Sequence, residues 1–202
     1  MNDKVLVWDW PTRAFHWLLA LCFAVAWITS GSERYIMIHA TCGYTVFALM
    51  VFRVLWGFLG SRHARFGAFV RGPSAAHAYV RALWRRPAQH FTGHNPAGAV
   101  AIVVMILLGL ATPVFGWITF NEWAGDWVAR THITLAWVFL AVVGLHLLGV
   151  VVGSFAHREN LAAAMLSGAK RGAPDEAIPH AYGWLAVVML LAVAGLWLWS
   201  LS

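Results

Sequence analysis

Two histidines, His132 and His146, interrupt RTHITLAWVFLAVVGLHLLGV (residues 130–150), a stretch with no carboxylate and no lysine. They stand fourteen residues apart, nearly four helical turns, so on a helix both face one side, roughly 21 Å apart along the axis. Neutral imidazole is the commonest side-chain metal ligand. In a membrane helix it also serves neighbouring hydroxyls and carbonyls, and on this spacing alone the two readings stand level.

The elements that would carry these residues are read from charge. The chain has 202 residues, of which 61% are apolar and 11% charged, too little polar surface to cover a soluble core. No Asp, Glu, Lys or Arg occurs in 14–32, 35–52, 97–121, 131–157 or 178–202. Each run is close to or above the ~18–20 residues that cross a bilayer as helix. None shows the alternation of a barrel strand, so five helical spans are expected. Asp3, Asp9 and Pro11 precede the first span, and no small-residue cleavage site follows it, so it reads as a retained helix rather than a secretion signal. The 61–96 connection carries Arg62, Arg65, Arg71, Arg81, Arg85 and Arg86, and the segment after span four carries Arg158, Lys170 and Arg171. This bias places the N-terminus and both basic segments in the cytoplasm and the C-terminus outside. The net charge of +6 thereby reflects topology, and nucleic-acid binding is not indicated.

Depth makes the histidines more than a pair. His16 lies at the inner end of span one and His39 near the outer end of span two. Span four enters from outside, so His132 joins His39 at the outer level and His146 joins His16 at the inner one. Two pairs at two depths, each shared by two helices, suit two haems clamped between helices. One turn beyond these positions stand Ala20, Gly43, Ala136 and Val150, whose modest size leaves clearance for a flat macrocycle; small residues are equally common at any membrane helix interface. With both axial positions filled by imidazole, such a centre passes single electrons instead of binding oxygen.

Arg53, fourteen residues past His39, reads either as a snorkelling boundary arginine or as the partner of an inner haem propionate. Arg34 and Arg130 are the cations available to an outer haem. His63, His77, His90 and His157 read as solvated, His180 as the outer start of span five, and His94 as a turn-stabilising or functional residue. Cys22 and Cys42 lack CxxC spacing and read as small core residues. Trp8, Trp10, Trp123, Trp127 and Trp184 read as interfacial indoles. The PSAAHAYVRALWRRP segment (73–87) is expected to form a short helix on an anionic membrane surface, with protein docking as its alternative. Residues 167–179 read as a linker. Pro11-Thr12 and Asn95-Pro96 mark helix starts.

VLVWDWPTRAFHW (5–17), IHATCGYTVFALMVFRVLWGFLGSRHARF (38–66), GHNPAG (93–98) and GLHLLGVVVGSFAHRENLAAAMLSGAKR (144–171) together resemble the bacterial cytochrome b561 proteins, in the branch related to the b-type cytochrome subunit of nickel-iron hydrogenases. The resemblance covers about residues 5–171. It implies an all-α membrane bundle of four helices holding two non-covalent haem b groups, ligated at His16, His39, His132 and His146. It also implies electron relay between the quinone pool of a bacterial inner membrane and a redox partner. Relatives often carry an acid beside the outer ligand of helix four, where this chain has Ile133, so no proton or partner role can be carried over to that position. The expected division is a dihaem unit at 1–171, then a linker and an additional span at 172–202. Expected partners are lipid, quinone or quinol, and a periplasmic c-type cytochrome or a soluble oxidoreductase subunit, with homodimerisation open. A haem-containing or haemless membrane anchor subunit for a soluble oxidoreductase and a haem or metal transporter are the competing functions.

Overall fold

The computed structural model describes residues 4–83 and 91–200. Five long helices have the length and composition of membrane spans: α1 (Trp10–Thr29), α2 (Ile36–Leu59), α5 (Pro96–Phe120), α6 (Asp126–His157) and α8 (Gly183–Ser200). Shorter pieces lie between them: α3 (Phe66–Phe69), α4 (Pro73–Ala82), α7 (Leu161–Ser167), and strands β1 (Lys4–Leu6) and β2 (Ala169–Arg171). The chain is an all-α, multi-pass membrane protein.

The helix starts follow from local chemistry. Asp9 caps α1 by accepting the Thr12 amide at 2.7 Å, and Asn95 caps α5 by accepting the Gly98 amide at 2.8 Å, with proline in the first turn of each. Arg53, which ends the second uncharged run, does not end its helix. It is 4% exposed, with its guanidinium 5.1 Å over Phe66 and 5.7 Å over Phe69, so α2 continues to Leu59. That burial removes the snorkelling reading.

Helix α1 packs along α2, α2 along α5, α5 along α6, and α8 against α1 and α2. The shared core gathers Phe15, Cys22, Cys42, Leu49, Met50 and Phe139, with both cysteines free thiols. Gly109 brings α5 close to α2; a Cβ there would lie 2.6 Å from Met50 Cε. Lipid supplies no hydrophobic force between helices, so small residues and polar clasps assume that work. Helix α8 is fastened this way: Trp197 Nε1 donates to Thr45 Oγ1 at 3.1 Å, and the Thr41 and Ser200 hydroxyls lie 3.0 Å apart.

At the end of the bundle where α1 begins, β1 pairs antiparallel with β2, Val5 opposite Lys170. The segment expected to be a linker is part of this cap. Ile178 is buried and its amide donates to the Leu6 carbonyl at 2.9 Å. The Trp10 amide donates to Ala181, which places neighbouring His180 at the end where α1 starts, contrary to the outer position expected. Four crossings return the chain to the side from which it set out. Trp8 is also not interfacial: at 5% exposure it is core to this cap, whereas Trp10, Trp123, Trp127 and Trp184 are exposed. Of the expected 73–87 helix, α4 ends at Ala82, and Trp84, Arg85, Arg86 and Pro87 lie outside the described residues. Tyr79 fastens it to the bundle, its hydroxyl 3.0 Å from His157 Nε2.

Asp9 joins the cap to the spans, because Oδ2 accepts the Trp56 indole N–H of α2 at 3.1 Å. Asp9→Ala strands two buried donors and is expected to cost about 2–3 kcal/mol. In detergent this appears as a lowered Tm, and Asp9→Asn, itself a good cap, should recover part of the loss.

Candidate functional site

Helix α6 runs close along α5, while its backbone approaches neither α1 nor α2 at length. Side chains from α1, α2 and α6 reach into that space. At the end away from the β cap, the His39 and His132 rings meet with centroids 6.1 Å apart, their planes at 82°. Each is braced by the helix beside its own: His39 Nδ1 lies 2.9 Å from the Ala26 carbonyl of α1, and His132 Nδ1 lies 2.9 Å from the Thr112 carbonyl of α5. A carbonyl only accepts, so both Nδ1 atoms carry the proton and both Nε2 atoms carry the lone pair. This is the tautomer a metal-ligating imidazole needs, with its outward nitrogen oriented by a backbone acceptor.

Gly116 makes room for this arrangement. A Cβ on it would stand 2.9 Å from His132 Cε1 and 3.0 Å from Nδ1. Gly43, one turn past His39, faces open space, with no atom within 4 Å of a Cβ built there.

At the capped end, His16 of α1 and His146 of α6 lie within electrostatic reach of each other, and both are half-buried. His16 Nδ1 is sealed and has no hydrogen-bond partner among the described residues. Between the two levels Phe139 stands seven residues from either α6 histidine. It is 4% exposed and packs on Phe23 of α1 at 4.8 Å. Trp27 and Trp137 make a second α1–α6 contact at 4.9 Å.

A polar cluster underlies the capped level. Arg53 Nη1 is sealed without a partner among the described residues. His94, on the turn before α5, lies between Trp8 and Phe69 with ring centroids at 4.6 and 4.7 Å. Its Nδ1 is sealed and unpartnered among the described residues, and Asn95 supplies the helix cap. The residue as a whole is half-buried, yet burial of the ring, reinforced by Arg53, Lys170, His146 and His63, holds its pKa well below the ordinary imidazole range. His94 is therefore neutral. Lys170 is 5% exposed, and its ammonium donates to the Phe91 carbonyl at 2.9 Å and the Gly93 carbonyl at 3.4 Å, which ties the turn to β2.

The remaining expectations divide. Arg34 and Arg130 are exposed near the starts of α2 and α6, and Arg34 lies over the Tyr35 ring at 5.4 Å. Ile133 is 56% exposed. His77 is exposed as expected, whereas His63 is buried with Nε2 2.7 Å from the Glu176 carbonyl, and His157 pairs with Tyr79. Loop histidines read as solvated from sequence thus become fastenings once the loops fold onto the bundle. His90 lies outside the described residues. Gly116 and Phe139 were not foreseen, nor was the Asp9–Trp56 bond; Phe139 carried a signal in its equal spacing from His132 and His146, and Asp9 carried that of a helix cap.

The family model for prokaryotic cytochrome b561 matches residues 7–168. The probable Ni/Fe-hydrogenase B-type cytochrome subunit of Azotobacter vinelandii is 23% identical, over 83% of this chain and 88% of its own length. That of Rhizobium leguminosarum bv. viciae is 24% identical, over 83% and 89%. The probable Ni/Fe-hydrogenase 1 B-type cytochrome subunit of Escherichia coli (strain K12) is 25% identical, over 60% and 63%. No solved structure matches the chain.

Gly116→Ala is expected to push the His132 ring off its carbonyl and lower the haem b retained per chain, measured as pyridine haemochromogen. Gly195→Ala, where a Cβ meets nothing within 4 Å, is the control and should leave the haem unchanged.

Proposed function

Because the chain belongs to the prokaryotic cytochrome b561 family, it is a membrane b-type cytochrome of electron transfer, and we propose that it holds two haem b groups, one between His39 and His132 and one between His16 and His146. The observation that carries this reading is the His39–His132 opposition. Their ring centroids lie 6.1 Å apart and Nε2 carries the lone pair on both, a separation at which the two imidazoles could hold one metal ion between them. The donor set also suits the group: Nε2 carries the lone pair on both rings, Gly43 leaves space beside His39, and His16 Nδ1 and Arg53 Nη1 are buried polar atoms awaiting partners.

Haem b ligated by two imidazoles supplies a one-electron iron couple with no open coordination position. The chain's own residues do the rest. The Ala26 and Thr112 carbonyls fix two rings in the ligating tautomer, which favours little rearrangement when the iron changes charge. Phe139 and Phe23 fill the space between the two levels and exclude water from it. Arg53 places a positive charge at the capped level, suited to a propionate.

We take residues 1–171 as the haem-binding unit, ending at β2, and 172–202 as an appended linker and span held by the Thr41–Ser200 and Thr45–Trp197 contacts. The capped end, to which the basic loops attach, is assigned to the cytoplasm by the positive-inside bias, in a bacterial inner membrane. Electrons would pass between the quinone pool and a redox partner. The relatives named as hydrogenase cytochrome subunits favour the electron-carrying subunit of a soluble oxidoreductase on the periplasmic side over a separate c-type cytochrome. Quinol reduction of the purified chain, followed by its reoxidation with each partner class, tests the route.

The ligand set makes a selective demand. A preparation with about two haems per chain should lose one on His146→Ala and keep a b-type spectrum, and His132→Ala should remove the other. Loss of both haems from either single variant would contradict the pairing. Arg53→Gln is expected to lower the midpoint potential of the haem at the His16–His146 level, because a nearby positive charge favours the reduced iron. A redox titration resolving two components reads this directly.

A further inference from the structure

Arg53, which is buried, and His94, which is half-buried, each have a sealed nitrogen with unused capacity on one aromatic wall. Phe69 lies 5.7 Å from the Arg53 guanidinium and 4.7 Å from the His94 ring centre. Arg53 comes from α2 and His94 from the turn before α5, so the fold, not a local motif, brings them together. Both Arg53 Nη1 and His94 Nδ1 are sealed and unpartnered among the described residues, and Arg53 is 4% exposed. Sealed groups of this kind are costly to leave unpaired, the more so when charged. Two in one place therefore point to a missing acceptor.

The charges specify that acceptor. The groups acting electrostatically on His94 are Arg53, Lys170, His146 and His63, all basic. The carboxylate acting on Arg53 is Asp9, whose two oxygens already accept the Thr12 amide and the Trp56 indole. An anion with more than one oxygen is wanted. The guanidinium fork matches a carboxylate, and a neutral imidazole adds one further donor. Lys170, tethered to the Phe91 and Gly93 carbonyls, holds the turn that presents His94.

We propose that Arg53 and His94 form a two-point clamp for a carboxylate, namely a propionate of the haem at the His16–His146 level. The clamp rests on the ligand reading above and adds His94 as a positioning residue. Trp8 and Phe69 flank the imidazole, with ring planes tilted 49° and 51° to its own, and its Nδ1–H donates to the propionate that Arg53 pairs. A donor there draws negative charge away from the iron and raises that haem's potential relative to a site without it.

The test uses the full-length, haem-loaded chain carrying haem labelled with 13C at the propionate carboxyls. His94→Phe keeps a ring between Trp8 and Phe69 and removes the donor; His94→Gln returns a donor. Haem per chain, the midpoint of each haem and the labelled carboxylate bands in redox-difference infrared spectra are read together. His94→Phe should retain both haems, shift the labelled bands and lower the potential of the His16–His146 haem alone, and His94→Gln should move both readouts back. Unchanged bands and potentials in a fully loaded His94→Phe protein overturn the clamp and leave the ligand assignment standing. Should His94→Phe fail to hold haem or to fold, His94→Gln decides: wild-type bands support the clamp, and haem loss or bands altered beyond a change of donor overturn it. A wild-type chain without haem at that level overturns clamp and ligand reading together.

Discussion

An imidazole in hydrocarbon gains from an acceptor for its N–H, and for His39 and His132 the acceptor is a backbone carbonyl on the neighbouring helix. The His39–Ala26 and His132–Thr112 bonds do three things at once. They join α2 to α1 and α6 to α5, they fix the tautomer, and they turn both lone pairs outward. A carbonyl already bonded within its own helix has a second lone pair to offer, so the brace does not break the helix that provides it. Gly116 completes the arrangement by omitting the one atom that would stand in the His132 ring.

The opposite level is organised differently. There the polar side chains come from loops and strands: Asp9 before α1, His63 after α2, His94 before α5 and Lys170 in β2. Three are anchored by a group distant in sequence, Asp9 by Trp56, His63 by the Glu176 carbonyl and Lys170 by the 91–93 turn, and His94 packs between Trp8 and Phe69. The β1–β2 pairing brings these segments together. A cap of this kind lets a charged arginine lie inside the bundle, because Asp9 and the faces of Phe66 and Phe69 share its field.

The spans were legible because lipid imposes one simple rule, a charge-free run of sufficient length, and the runs at 97–121 and 131–157 nearly coincide with α5 and α6. Arg53 shows where the rule stops, since a buried, aromatic-faced cation continues a helix that the charge pattern ends. His39 and His132 share a level because alternating antiparallel spans leave little freedom in height. His180 was expected at the outer level, but four crossings return the start of α8 to the level of the start of α1, as the Trp10–Ala181 bond shows. His63, His94 and Lys170 were read as loop or topology residues because their partners lie up to 113 residues away, and spacing along the chain carries no such information.

Helix α6 reveals how assembly and cofactor depend on each other. Its backbone follows α5, and toward α1 it offers chiefly aromatic contacts, Phe139 on Phe23 and Trp137 on Trp27. Aromatic pairs in lipid contribute about 0.5–1.5 kcal/mol each beyond area burial, modest for a helix of 32 residues. Under the proposed ligation each iron would add a bond from α6 to α1 or α2, at the two heights where the aromatic contacts leave off. Metal binding of this kind is folding free energy, because the ligands meet only in the assembled bundle. The same two histidines that raised the question of chemistry would then also be what closes the fourth helix onto the first two.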